Sequence, residues 1–212
     1  MGDERNQPMT KACGHREGGR GGSHKTQGSF KTLADIVAAY IRCGREDLDK
    51  DLAYYRASGT WARAVERASK AERHDGTFHP HQWRVGEATM AKVKEPLLAL
   101  GRRKFDNFGA LHEAVREAVC KKGHKIPRIG PLAVYDTALR LAAFRGILPD
   151  RVHLHSGTLE GAKNLGLNLR GEKSLAMSDL PSEFRKLKAY EVENCLCIYK
   201  EHFKPASALQ KV

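Results

Sequence analysis

Apolar side chains recur at three- and four-residue spacing over most of the chain beyond residue 30, the pattern of helices that bury one face. Thr32 is placed to cap a first helix from Leu33 to Ile41, which Gly44 should stop. A second run from Glu46 to Ala57 turns Leu48, Leu52 and Tyr55 inward, and a third from Trp61 to Arg73 does the same with Trp61, Val65 and Ala68. His74 to Pro80 reads as a loop, and Trp83 to Leu100 as a helix interrupted at Gly86 and bent near Pro96. In the next run Phe108, Leu111, Val115 and Val119 share a face, with Lys121, Lys122 and Gly123 closing it as a helix C-terminus prefers. Pro131 then opens a run through Leu132, Tyr135, Leu139, Leu141 and Phe144; at a first helical position its missing N–H has no partner to lose.

Beyond that pair, Arg151 to His155 is a short extended piece, and Ser156-Gly157-Thr158 caps a helix reaching Leu165. Asp179 to Glu183 starts a long last helix to about Phe203. No two segments alternate in the way a sheet needs, and there is no internal repeat. The expected architecture is an all-α, orthogonal multi-helix domain over residues 30–212. Residues 1–29, rich in glycine and charge (Gly18-Gly19-Arg20-Gly21-Gly22), carry too little apolar surface to offset their ordering entropy and are expected to be a disordered basic tail.

Composition changes this picture mainly through charge. The 212 residues are 41% hydrophobic and 29% charged, as in a soluble globular protein, and no run of apolar residues is long enough to span a membrane. No secretory signal stands at the N-terminus, and five scattered cysteines (Cys13, Cys43, Cys120, Cys195, Cys197) form no disulfide framework, so reduced thiols and a cytoplasmic location are expected. The formal net charge of +12 points to a polyanionic partner, nucleic acid above all. Between Arg102 and Arg145 ten basic residues face four acidic ones, so +6, half the surplus, falls around the helix pair at 107–146.

Ile126-Pro127-Arg128-Ile129-Gly130 joins those two helices. The stretch 107–146 resembles the helix-hairpin-helix motif of DNA-binding and DNA-repair proteins, whose hairpin reads hydrophobic-Pro-Gly-hydrophobic-Gly; Arg128 stands where the first glycine belongs. The resemblance implies largely sequence-independent binding of double-stranded DNA. Gly130 would let the backbone approach a phosphate, the N–H groups opening the next helix would form an anion site, and Arg128 would add a charged contact. Lys121, Lys122, Lys125, Arg128, Ile129, Gly130 and Arg140 are the expected nucleic-acid contacts, with no cofactor and no metal.

The same hairpin occurs in DNA glycosylases of the endonuclease III type, which makes an enzyme on damaged DNA the alternative. The family's nucleophilic lysine position is Leu132 here, which removes Schiff-base chemistry. Its catalytic aspartate falls by count on Asp150, a weak candidate, because the family's acid follows a short extended piece and Asp150 precedes one; His153 and His155 take the equivalent places. Binding without catalysis is therefore expected, and a protein-interaction module, in which Ile126, Ile129 and Leu132 only pack the helices together, is a third reading.

Other features are open to two readings. His79 with His81, and His153 with His155, have a spacing suited to metal ligation, but no cysteine or carboxylate lies beside either pair at metal-site spacing, so surface or capping roles are expected. Trp83 either stacks a base or packs in the core. Asp136 is expected to pair with Arg140 one turn on.

Overall fold

The computed structural model describes residues 30–120 and 125–205. The chain is mostly helical, in nine α-helical segments among the described residues joined by loops and tighter turns. They are α1 (Leu33–Ala39), α2 (Arg45–Arg56), α3 (Trp61–Ser69), α4 (Glu87–Met90), α5 (Lys94–Leu98), α6 (Phe108–Cys120), α7 (Pro131–Arg145), α8 (Ser156–Asn164) and α9 (Ala189–Ile198). None is long and apolar enough to cross a membrane. The expected tail lies outside the described residues.

Helix α1 starts as its sequence requires. The Thr32 hydroxyl accepts from the Asp35 N–H at 3.1 Å and the Asp35 carboxylate accepts from the Thr32 N–H at 2.9 Å, a reciprocal cap. Gly44 does not stop the helix. A π-turn at Tyr40–Gly44 carries it straight into α2, and the glycine is needed because the Tyr40 ring lies where a side chain would be, 2.7 Å from a Cβ placed there. The third helix ends at Ser69 rather than Arg73, and the long last helix is broken. A 3-10 turn at Ser182–Lys186 precedes extended residues Leu187 and Lys188, and α9 starts afresh with the Glu191 carboxylate accepting from the Lys188 N–H at 2.7 Å.

The first hydrophobic cluster is built around α7 by α2, α3, α5 and α6. Residues 137–143 of α7 are all buried, so this is an enclosed helix rather than the one-faced helix that its apolar spacing suggests. Ala133, Ala138, Ala142 and Ala143 let its neighbours come close. The second cluster joins α1, α8 and α9 with Val152 and Leu175. Those two residues belong to a feature that the sequence does not announce, a two-stranded antiparallel pair of β1 (Val152–His153) and β2 (Ser174–Leu175). With two residues a strand, it is too short to show alternation. Cys120, Cys195 and Cys197 are free thiols.

The second cluster depends on the close approach of α8 to α9. A Cβ at Gly161 would overlap the Leu196 carbonyl oxygen, backbone that cannot swing aside. Gly161→Ala is therefore expected to destabilise the fold by roughly 1–3 kcal/mol or more. A thermal melt should show it as a drop of about 2–4 °C per kcal/mol for a chain of this size. An unchanged melting temperature would mean that the two helices are not packed this closely.

Candidate nucleic-acid interface and the polar groups behind it

Helices α6 and α7 pack together, and the segment 125–130 leads into α7. The left-handed backbone position of this turn is Arg128, at φ 67°. It is where the motif it resembles places glycine, so Arg128 takes a conformation that L residues rarely hold. Its guanidinium donates to the Arg84 carbonyl oxygen at 2.5 Å, a bond from one loop to another that supports the strained turn. Gly130 is extended (φ −105°, ψ −179°) and nothing lies within 4 Å of where its Cβ would be. The glycine is thus not demanded by backbone strain, and it opens α7 with no side-chain cap on the helix N–H groups.

The expected contact residues separate. Lys125 and Arg128 are exposed and Gly130 is half-buried. Ile129 is buried in the core around α7, so it anchors the turn and presents no side chain to a ligand. Arg140 is only 6% exposed and is not a surface contact, which corrects its expected role. Lys121 and Lys122 lie outside the described residues. The basic surplus is also spread out: Arg145 lies at the other end of α7, over the Trp61 ring at 4.6 Å and donating to the Gly101 carbonyl.

The structure adds the segment 79–85 to this face. Trp83 is 56% exposed, alone in this among the large apolar side chains of the described residues, and the adjacent Arg84 is exposed and held by Arg128. What fixes the segment is Gln82, fully buried. Its amide nitrogen donates to Asp136 Oδ2 at 2.7 Å, and its carbonyl oxygen accepts from the Arg140 guanidinium at 3.1 Å. The expected Asp136–Arg140 pair is therefore bridged by a third residue. His81 approaches the same carboxylate, Nδ1 to Oδ2 at 3.8 Å. Burial pulls the Asp136 carboxyl upward, but His81, Arg140 and His79 more than reverse this and hold it below the usual carboxylate range. Burial drives His79 the other way, well below the ordinary imidazole value, with help from His81 and Arg140, so it is neutral.

A second polar group lies where the two hydrophobic clusters meet. The Tyr135 ring is 5.3 Å from His153 and 4.7 Å from His155, and His112 is 5.1 Å from His153, centroid to centroid. His155 Nε2 is 3.0 Å from Glu193 Oε1, which also accepts from the Thr158 hydroxyl at 2.7 Å. Burial opposes a charge on His155, but the Glu193 carboxylate outweighs it and raises the imidazole. His153 moves the other way, pushed down to about 4, first by burial and then by His112, His155 and Arg151, with Asp150 opposing. Asp150, the weak catalytic candidate, is exposed in the turn after α7, and Arg151 bonds to Ser174 rather than pairing with it.

Comparisons with family models, with characterised proteins and with solved structures found no match for this chain.

The His153 environment sets a pH dependence. The fold keeps His153 neutral down to about pH 4, while the unfolded chain protonates it near 6.5. Between those values the unfolded state binds more protons, so stability falls on acidification through the window. His155, raised by Glu193, works in the opposite sense. The drop in melting temperature from neutral pH to about pH 4.5 should shrink in His153→Gln, which cannot titrate. An equal drop in the variant would show that this group does not contribute.

Proposed function

We propose that this chain binds double-stranded DNA, largely without regard to sequence, through the face formed by the turn 125–130, the start of α7 and the segment 83–84. One observation carries the reading: the Arg128 guanidinium holds the Arg84 carbonyl, which sets an exposed tryptophan beside two exposed arginines at an uncapped helix start. Arginine and lysine at such a place neutralise phosphates, the helix N–H groups bind an anion, and an exposed indole stacks on a base or sugar. The resemblance of 107–146 to the helix-hairpin-helix motif and the charge of +12 point the same way. Lys125, Arg84, Arg128 and Gly130 are the phosphate contacts, and Trp83 is the stacking contact. Ile129 and Arg140 support them from inside.

The variants that test this leave the fold in place. Arg128→Gly removes the guanidinium and relieves the left-handed strain, so its melting temperature should stay within a few degrees of the parent's. With a labelled duplex at low salt, anisotropy titrations should show roughly tenfold weaker binding for Trp83→Ala, within the range of single stacking contacts. Arg84→Ala combined with Arg128→Gly should flatten the dependence of log affinity on log salt by about 1–2, near 0.9 for each phosphate no longer neutralised. A parent protein that binds no duplex at low salt would end the proposal. Variants that bind as the parent does would move the binding face elsewhere.

A further inference from the structure

His79, His81 and Asp136 meet although 55 positions separate the second from the third, and one ligand atom from each lies within 4.8 Å of the other two. We infer that these three residues form a binding site for a single divalent transition-metal ion of the zinc class, which fastens the segment 79–85 to α7. Imidazole, imidazole and carboxylate is a donor set that suits such ions and leaves a fourth position for water. Around an ion with bonds near 2.0–2.1 Å, neighbouring ligand atoms stand about 3.4 Å apart. The three groups thus need to close by about 1.4 Å at most, within the reach of side-chain rotation. All three are partly buried, which permits an ion to enter and shields it once bound.

The placement of the groups is fixed by the backbone around them. The His79 N–H donates to the Ala71 carbonyl at 2.8 Å, the Glu72–Phe78 bridge closes the loop at its base, and the Arg73 N–H donates to the Thr77 carbonyl at 2.9 Å. Pro80 then begins a 3-10 turn that brings His81 beside His79, ring centroids 4.8 Å apart. On the other side Gln82 holds Asp136 Oδ2 and so orients the carboxylate, the part that an outer partner plays for a metal ligand. His79 Nδ1 accepts a long 3.3 Å bond from the His81 N–H, and an ion would take that lone pair in its place. Arg140, joined to the same carboxylate through Gln82, works against a cation and weakens the site relative to the three ligands alone. This inference does not depend on the DNA-binding reading.

The test uses the full chain, stripped with a chelator and titrated with Zn2+ and, as a visible probe, Co2+. One ion per chain is expected, with the ligand-field absorption of a low-coordinate Co2+ and a melting temperature that rises with Zn2+ concentration. His81→Gln should weaken the Zn2+ affinity roughly tenfold or more and abolish the Co2+ bands, and Asp136→Asn should do the same. His112→Gln and His153→Gln should leave both unchanged. His81 is partly exposed, so its variant keeps the fold and decides the matter if Asp136→Asn melts early. No stoichiometric ion in the parent, or an ion bound equally well by His81→Gln, would overturn the inference.

Discussion

Much of this structure depends on how a carboxylate and a guanidinium are kept inside an enclosed helix. Asp136 and Arg140 lie one turn apart on α7, and desolvating either alone would cost several kcal/mol. Gln82 offers its amide nitrogen to one and its carbonyl oxygen to the other, so a single neutral side chain bridges the two charges. That is possible only if the segment 79–85 lies flat against α7. Once it does, Trp83 and Arg84, the next two residues, face solvent beside the start of the helix. The buried network therefore explains an exposed feature: the display of Trp83 follows from the burial of Gln82.

The same constraint shows what is legible in the sequence. Helices α1, α2, α6 and α7 can be read because caps and apolar spacing are local, as Thr32 with Asp35 illustrates. Gly44 misleads because a glycine that ends a helix and one that makes room for the Tyr40 ring look alike in sequence. The last helix reads as continuous because Leu187 and Lys188 carry no proline or glycine to announce the break. Arg140 reads as a surface residue, since nothing local records that Gln82, 58 positions earlier, accepts its N–H.

The histidine pairs show the same division between local and distant information. The spacing of His79 and His81 suggests ligands, and the lack of a nearby carboxylate argues against them. The carboxylate comes instead from α7, a tertiary fact that spacing cannot carry. The pair His153 and His155 behaves otherwise. Both imidazoles lie against Tyr135, yet one is pushed toward neutrality by burial and its neighbours while the other is drawn toward charge by Glu193. Two residues apart, identical side chains have opposite electrostatic fates because one reaches a buried acid and the other does not.

Arg128 is the remaining departure from local rules. Glycine would hold φ 67° without steric strain, whereas arginine in that region carries a penalty of about 1–2 kcal/mol. The strained turn is held by groups on both sides: Ile126 and Ile129 are buried in the core around α7, and the guanidinium bonds to the Arg84 carbonyl. The side chain that creates the strain thus also supplies one of the bonds that offset it. Arginine at 128 joins the turn to the segment carrying Trp83, which glycine could not do. Through that bond the two loops become one surface.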